Sequence, residues 1–219
     1  DGSDAACRPL FDTLAATPGV ELLRHAVNAG KGRALKTAFN HCLCQHPQLH
    51  GVVTADADGQ HAPHDTAQVA RALLASADYV LGVRHFPSDI PLRSRLGNIG
   101  TRWVVALLYG TRIADTQTGL RGIPMARLGR LMPLEGERYE YETSMLVAML
   151  TGNAAIEQIP IDTIYIDGNR SSHFNPLLDS MRIYYVLLRF FASSLLTAGI
   201  DLLGFALALA LLQQPLPAL

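Results

Sequence analysis

The sequence predicts an α/β domain that is followed by a long apolar helix. Up to about residue 175, short apolar runs typical of buried strands alternate with longer segments that have helical spacing. The last part of the chain, residues 190–219, is strongly apolar and differs sharply from what precedes it. Alternating strands and helices are typical of a sheet whose strands are joined by helical crossover connections.

The predicted elements follow in this alternating order. The strands are the apolar, often β-branched runs 51–55, 78–83, 156–159 and 161–166, the last two being split by Pro160. The helices are predicted over 34–44, 63–76, 94–109 and 138–150. Pro63 suits a first helical turn, because the N–H that proline lacks has no intrahelical partner there.

The composition excludes several classes of protein. With 219 residues, the chain can bury a core without disulfide or metal support. Hydrophobic residues make up 49 % and charged residues 17 %, which excludes an intrinsically disordered chain. The net charge of −1 gives no indication of a nucleic-acid partner. Three cysteines cannot form a disulfide framework, which fits a reducing, cytosol-facing compartment.

The segment 190–219 is predicted to cross a membrane. Residues 190–212 contain no Lys, Arg or Glu, and at about 1.5 Å per residue they would span roughly 34 Å, enough for a bilayer core. A buried helix of a soluble domain is the alternative. Asp201 lies near the middle and is costly in lipid, so we expect a partner helix from a second copy of the chain or from sequence beyond Leu219.

Residues 176–189 are predicted to form an amphipathic helix at the membrane surface. Tyr184 and Tyr185 suit the headgroup level, and Arg182 and Arg189 suit anionic lipid. An ordinary amphipathic helix docked on the sheet is the alternative. Because the basic residues precede the apolar segment, we expect the domain 1–175 on the cytoplasmic side of the inner membrane.

The strongest local signal is the acidic motif ADADGQH at residues 55–61. Asp56 and Asp58 follow a predicted strand, and side chains two apart on an extended segment point the same way. Two carboxylates placed so can share Mg²⁺ or Mn²⁺, which also accept phosphate oxygens. An Asp-rich turn that caps the next helix is the alternative. A zinc site at His61 and His64 is disfavoured, because no third ligand has a suitable spacing.

Further polar motifs are candidates for binding anions. Residues 28–34 (NAGKGRA) place Lys31 and Arg33 at a predicted helix N-terminus, although the spacing is not that of a P-loop. Residues 114–122 (ADTQTGLRG) offer Asp115 as a general base or acceptor-orienting group and Arg121 as a phosphate ligand. Arginine forks that match phosphate oxygens are also available at Arg84, Arg93, Arg95 and Arg170. The alternatives are solvated surface cations and an ordinary structured loop.

In this order the motifs resemble family 2 glycosyltransferases, and among them polyprenyl-phosphate sugar transferases of the dolichol-phosphate mannosyltransferase type. The matching pieces are DGSD (1–4), NAGKGRA (28–34), ADADGQH (55–61), GVR (82–84), DTQTGLRG (115–122) and GNRSSHF (168–174). Residues 189–205 resemble the start of a GtrA-like membrane module. The resemblance implies a GT-A fold, the Rossmann-like domain of nucleotide-sugar transferases.

The resemblance also implies a reaction and the roles of single residues. The reaction is an inverting, metal-dependent transfer of a hexose from a nucleotide sugar, such as UDP-glucose or GDP-mannose, to a polyprenyl phosphate. Asp56 and Asp58 would hold the donor diphosphate through Mg²⁺ or Mn²⁺, with Gln60 beside them. Asp1 would lie near the base and ribose, and Asp115 near the acceptor. The implied catalytic residues are Asp58 and Asp115, and the implied substrate-binding residues are Asp1, Lys31, Asp56, Gln60, Arg84, Arg93, Arg95, Arg121 and Arg170.

The chain departs from the family pattern at its start. The family's first strand, a Pro-x-Tyr-Asn-Glu-like loop and the first Asp of an Asp-Asp-Gly-Ser motif would precede Asp1. We therefore expect a GT-A domain that lacks its first strand. Two other functions remain open: a family 2 transferase with a saccharide or other acceptor, and a non-catalytic nucleotide-sugar-binding membrane scaffold.

Overall fold

The structure, a computed structural model, describes residues 3, 5–75, 78–84, 92–162, 164 and 178–212. For residues 5, 92–99, 190, 191, 193, 194, 211 and 212 it describes the backbone alone. The strands are β1 (Gly51–Thr54), β2 (Tyr79–Arg84), β3 (Arg121–Pro124) and β4 (Ile156–Ile161). The helices are α1 (Arg8–Ala15), α2 (Lys31–Gln45), α3 (Pro63–Ala75), α4 (Leu92–Tyr109), α5 (Met125–Leu131), α6 (Glu140–Thr151) and α7 (Leu178–Leu212), and a short 3-10 turn (Ala5–Cys7) precedes α1.

The four strands form one mixed sheet in the order β1-β3-β2-β4. β3 runs antiparallel to both of its neighbours, while β2 and β4 run parallel. The carboxyl ends of β1 and β2 therefore lie at the same edge of the sheet, beside the start of β3. In the register of β1 and β3, Thr54 is opposite Arg121. The topology thus brings together the segments that follow β1 and β2 and the loop that precedes β3.

Strand β3 was not predicted, because residues 114–122 were interpreted as a polar loop. Its sequence Arg-Gly-Ile-Pro has little β-branched character, so the strand depends on pairing with both β1 and β2. Gly122 lets these elements approach closely. A Cβ added there would lie 3.1 Å from Cβ of Val80 and 3.2 Å from Val69 of α3.

Strand β4 runs through Pro160, where the sequence analysis had placed a break between two strands. Pro160 is paired in register with Val83 of β2. Proline donates no ladder hydrogen bond, so within sheets it is tolerated on edge strands. β4 is the edge strand of the described sheet on this side, which explains why the strand continues.

Apolar side chains cover both faces of the sheet. On one face Val80 packs with Val69 and Leu73 of α3. On the other face Leu81 and Ile123 belong to a larger core cluster, to which α2, α4, α5, α6 and α7 contribute. The opposite placement of the adjacent residues Val80 and Leu81 is the alternation expected of a strand buried on both sides. The fold is therefore a helix–sheet–helix sandwich, which confirms the predicted α/β class.

Helix α7 is continuous across the predicted boundary between residues 189 and 190. Ile183, Val186 and Leu187 are buried in the core, so its first turns are docked on the domain, as in the alternative interpretation of residues 176–189. Among the described residues, no helix is long and apolar enough to span a bilayer. The structure therefore does not support the predicted transmembrane segment. The predicted domain boundary at residue 175 lies outside the described residues.

Candidate active site

The edge of the sheet at the end of β1 carries a cluster of three charged side chains. Lys31, the first residue of α2, places Nζ 2.6 Å from Oδ1 of Asp56 and 2.9 Å from Oε2 of Glu142. Asp56 lies two residues beyond β1, and Glu142 lies in the first turn of α6. Lys31 and Asp56 were both predicted as site residues, and the structure brings them into direct contact. We call Lys31, Asp56 and Glu142 the lysine cluster.

The two glycines beside Lys31 explain how α2 reaches this position. Gly30 has a φ of 96°, a conformation that side-chain-bearing residues rarely adopt. A Cβ on Gly32 would lie 2.7 Å from Cβ of Tyr141 and 2.8 Å from the carbonyl carbon of Glu137. The glycines therefore let the N-terminus of α2 press against the start of α6. The close packing that Gly30 and Gly32 allow places the Lys31 ammonium group between the carboxylates of Asp56 and Glu142.

The lysine cluster is electrostatically coupled. Burial favours the neutral form of Asp56, but its neighbours His61 and Lys31 outweigh this effect and hold the pKa of the carboxyl well below its usual range. Burial likewise opposes the charge of Lys31, but the carboxylates of Glu142 and Asp56 raise its pKa above the ordinary value. Asp56 and Lys31 are therefore both charged at neutral pH. The ammonium also lies 5.8 Å from the ring centroid of Tyr139.

The loop before β3 packs directly against Asp56. The Thr54 hydroxyl donates a hydrogen bond of 2.8 Å to the carbonyl of Gly119. A Cβ on Gly119 would lie only 2.7 Å from Cγ of Asp56. Any larger residue at position 119 must therefore displace the Asp56 carboxylate. This contact gives a physical reason for glycine in the motif DTQTGLRG.

Asp58 lies in a turn that faces solvent. Its Oδ1 accepts a 3.0 Å hydrogen bond from the backbone N–H of Gln60, and Gly59 between them has a φ of 79°. The Nε2 of His61 lies 3.7 Å from Oδ2 of Asp56. Asp58 is thus the most exposed of the candidate carboxylates that the structure describes, while Asp56 forms ion pairs with its neighbours.

The donor set at this turn fits a hard divalent cation. Asp56 is ionised at neutral pH, and Asp58 exposes its carboxylate to solvent. Carboxylate oxygens are the ligands that Mg²⁺ and Mn²⁺ accept, and such ions are commonly held by one or two carboxylates plus phosphate and water oxygens. Asp56 and Asp58 are therefore the residues that would hold such an ion.

A second group of charged side chains, an arginine and an aspartate, lies at the end of β2. Arg84 donates from Nε to Oδ2 of Asp115 at 2.6 Å and from Nη2 to Oδ1 at 3.1 Å. The backbone N–H of Gln117 donates a further 3.1 Å hydrogen bond to Oδ1. Asp115 is fully buried, whereas the Arg84 side chain is 27 % exposed. Arg84, predicted to bind phosphate, and Asp115, predicted to be catalytic, are thus hydrogen-bonded to each other. We call Arg84 and Asp115 the arginine pair.

Arg121 lies beneath the loop, not at its surface. Its guanidinium donates to the carbonyls of Thr118 (2.8 Å) and Glu142 (2.6 Å) and to the Tyr79 hydroxyl (3.1 Å). The side chain is fully buried. It was expected to bind phosphate, but this arrangement corrects that expectation: Arg121 joins the loop, β2 and α6 from inside the fold.

The side chains of four other predicted site residues lie outside the described part of the structure. Asp1 and Arg170 lie outside the described residues, and Arg93 and Arg95 lie in the first turns of α4 with only their backbone described. Gln60 lies two residues beyond Asp58, and its backbone N–H donates to the Asp58 carboxylate. The roles assigned to these residues stay predictions.

Sequence reasoning missed Glu142 and Tyr139. Both lie near the start of a helix that was predicted, in the sequence Tyr-Glu-Tyr-Glu. Acidic residues in a first helical turn are commonplace, because they interact favourably with the helix dipole. Only the approach of α2 to α6 distinguishes Glu142, and no local pattern contains that information.

Comparison with known proteins shows the family. Residues 1–132 match the family described as "Glycosyl transferase family 2". The chain belongs to this family. It is a glycosyltransferase, and its mixed sheet with helices on both faces is a GT-A-like fold.

Two relatives of this glycosyltransferase have names that specify an acceptor. A UDP-N-acetylglucosamine–dolichyl-phosphate N-acetylglucosaminyltransferase of Methanococcus voltae is 33 % identical over 172 residues, covering 76 % of this chain and 67 % of the relative. A polyprenol monophosphomannose synthase of Mycolicibacterium smegmatis is 27 % identical over 173 residues, covering 74 % and 63 %.

A solved structure shares the fold of the glycosyltransferase. Glucosyl-3-phosphoglycerate synthase of Mycobacterium tuberculosis in complex with uridine diphosphate superposes with a TM-score of 0.53 at 18 % identity. The match covers 85 % of this chain and 64 % of that one. This chain thus spans about two thirds of the length of the proteins it resembles.

Proposed function

We propose that this glycosyltransferase transfers a hexose from a nucleotide sugar to a polyprenyl phosphate, with Mg²⁺ or Mn²⁺ at Asp56 and Asp58. The observation that carries the proposal is the lysine cluster beside the open carboxylate of Asp58. Ligands of α/β sheets bind outside the carboxyl ends of the strands, and this is where the cluster lies. The names of the two polyprenyl- and dolichyl-phosphate relatives support the same acceptor class.

On the donor side, the charge balance explains the need for a cation. Asp56, Asp58 and Glu142 supply three carboxylates, and Lys31 is the ammonium that contacts two of them. A bound divalent ion would neutralise the diphosphate leaving group and orient it. His61 and Lys31 lower the pKa of Asp56, Lys31 holds its carboxylate in position, and Gly119 leaves the space that this carboxylate occupies.

On the acceptor side, the chemistry needs positioning and charge neutralisation more than a base. A phosphate monoester is already ionised at neutral pH, so its oxygen can attack the anomeric carbon directly. The new C–O bond forms as the bond to the nucleoside diphosphate breaks, which inverts the configuration. We assign phosphate binding to Arg84, with Arg93, Arg95 and Arg170 as further candidates. Asp115 holds the Arg84 fork in a fixed orientation.

The proposed acceptor requires contact with a lipid surface. Large apolar side chains in the second half of α7, among them Leu196, Leu203 and Phe205, are more than half exposed. Such side chains would favour association with a membrane. We therefore propose that the enzyme works at the cytoplasmic face of the inner membrane.

The test is lipid labelling with the full chain in membranes. Undecaprenyl phosphate is supplied with Mg²⁺ or Mn²⁺ and with radiolabelled UDP-glucose, UDP-N-acetylglucosamine or GDP-mannose in parallel. We expect label in the lipid phase for one donor, lost with EDTA and in Asp58→Asn. Asp12→Asn, an exposed acid on α1 paired with Arg24, is the matched control and should retain activity.

Other outcomes would identify the alternatives. Label that enters a water-soluble glycan, with none in lipid, would indicate a saccharide acceptor. Binding of a nucleotide sugar without transfer to any acceptor would contradict the proposed reaction and favour a scaffold.

A further inference from the structure

We propose that Glu21, His41 and His46 form a binding site for a divalent transition metal, with Zn²⁺ as the best-suited ion. Glu21 lies in the segment that precedes α2, His41 lies near the C-terminal end of α2, and His46 follows that helix directly. Lys31 lies at the opposite end of α2. The site is therefore separate from the lysine cluster and does not depend on the proposed function.

The carboxylate of Glu21 faces both imidazole rings. Its Oε1 lies 2.9 Å from Nε2 of His46, and its Oε2 contacts Nε2 of His41. One ligand atom from each of the three residues lies within 4.8 Å of the other two. A zinc ion with bonds of about 2.0–2.2 Å holds its ligand atoms roughly 3–4 Å apart. Small movements of the side chains would therefore close the set around an ion.

The end of α2 explains why the two histidines converge. Residues five apart on a regular helix point about 140° away from each other. At His46 the backbone leaves the helical conformation, with φ −131° and ψ 47°, while its N–H still donates to the carbonyl of Cys42. This break turns the His46 ring back toward His41, and the ring centroids lie 5.7 Å apart.

The donor chemistry favours zinc over a hard cation. Two imidazole nitrogens and one carboxylate oxygen are a ligand set found in zinc sites that keep a fourth position for water. Mg²⁺ and Ca²⁺ prefer oxygen ligands alone. The side chains of His41 and His46 are partly exposed, so an ion and a water molecule can reach the site.

A second group of potential ligands provides a contrast. His64 lies 3.2 Å from Asp65 and 3.3 Å from Asp162. This group offers one nitrogen, and Asp65 already accepts a hydrogen bond from the backbone N–H of Asp162. It fits a transition metal less well and provides a matched control within the same chain.

A metal ion at this site would attach the segment before α2 to the end of that helix. The same segment is held at a second point, where Nε2 of His25 lies 2.9 Å from the hydroxyl of Thr37. It leads directly to Gly30 and Lys31. The expected role of the ion is therefore to stabilise the segment that ends at the lysine cluster.

The experiment is equilibrium dialysis of the purified full chain against Zn²⁺, with excess Mg²⁺ to occupy carboxylate sites. We expect about one bound Zn²⁺ per chain, as for a single three-ligand site. Binding should be lost in His46→Ala and in Glu21→Gln. It should be retained in His64→Ala and in Asp58→Asn.

Thermal unfolding gives a second readout that does not depend on enzymatic activity. Zn²⁺ should raise the Tm of the wild type and leave that of Glu21→Gln unchanged, because only a ligand bound by the native state stabilises it. Absence of Zn²⁺ binding by the folded wild type would overturn the proposal. Loss of the ion in His64→Ala, together with its retention in Glu21→Gln, would overturn it as well.

Discussion

The lysine cluster and the arginine pair lie at the same edge of the sheet, but their charges balance differently. In the lysine cluster two carboxylates share one ammonium, and the open carboxylate of Asp58 lies nearby. In the arginine pair one guanidinium meets one carboxylate through two hydrogen bonds. The first group therefore has negative charge left for a cation, whereas the second is neutral. The difference separates the proposed site for a metal ion and a diphosphate from a pair that fixes the orientation of Arg84.

The largest expected effect is the loss of enzymatic activity when the exposed carboxylate of Asp58 is removed. Asp58→Asn should lower kcat about 100-fold or more, because it removes a carboxylate that we propose as a ligand to the divalent ion at the leaving group. The free energy of unfolding of this variant should differ from that of the wild type by less than about 0.5 kcal/mol, since the Asp58 side chain is exposed. Initial rates and urea unfolding of the same preparation check both parts. A variant that keeps wild-type kcat would show that Asp58 is not a metal ligand.

The next effect is on stability and falls on the arginine pair. Asp115→Ala should destabilise the fold by about 3 kcal/mol, because it removes a buried carboxylate that accepts two hydrogen bonds from Arg84 and one from the N–H of Gln117. Arg84→Lys should cost less, since one charge-assisted hydrogen bond can remain. Urea unfolding measures both changes. Equal stability of Asp115→Ala and wild type would contradict a supporting role.

A smaller effect is expected at Gly119. Gly119→Ala should displace the Asp56 carboxylate and weaken binding of the metal by about tenfold, of the order seen when a supporting group of a metal site is altered. The matched control is Gly129→Ala in α5, where a Cβ meets no atom within 4 Å. Titration of activity with Mn²⁺ distinguishes the two variants. An unchanged Mn²⁺ requirement in Gly119→Ala would show that Asp56 tolerates the shift.

The smallest effect is a pH dependence. Because the pKa of Asp56 is lowered by folding, its contribution to stability is present above its unfolded pKa of about 3.9 and is lost as the pH falls below it. Because the pKa of Lys31 is raised, its contribution is present below its unfolded pKa of about 10.4 and is lost as the pH rises beyond it. Asp56→Asn should therefore unfold with a weaker acid dependence than the wild type below about pH 4. Parallel urea titrations at several pH values measure this difference.

The sequence predicted the parts of the fold that have a local pattern. Periodicity or turn residues indicate the described α/β core, the helices near Lys31 and Pro63, and the strand that leads to Asp56. β3 and the continuity of β4 through Pro160 were missed, because both depend on neighbouring strands. The predicted membrane span is not supported, because none of the helices in the described part of the chain meets the length and apolarity that a bilayer crossing needs.

The candidate site was predicted in composition but not in arrangement. Motif order identified Lys31, Asp56, Arg84 and Asp115, but it could not show that these four residues form two ion pairs. Arg121 was misplaced for a related reason, because a buried and an exposed arginine look the same in a polar motif. Spacing in the sequence indicates which residues are close along the chain. Ion pairs between distant residues depend on which loops the sheet brings together, and spacing does not contain that information.

The most direct test of this account measures Mn²⁺ binding by electron paramagnetic resonance in the presence of uridine or guanosine diphosphate. Three chains are compared: wild type, Asp58→Asn and Asp115→Asn, the last two checked for folding by circular dichroism. The account predicts that Asp58→Asn loses the bound Mn²⁺ and that folded Asp115→Asn retains it. Retention of Mn²⁺ by Asp58→Asn, or its loss in folded Asp115→Asn alone, would contradict the assignment of the two charged groups.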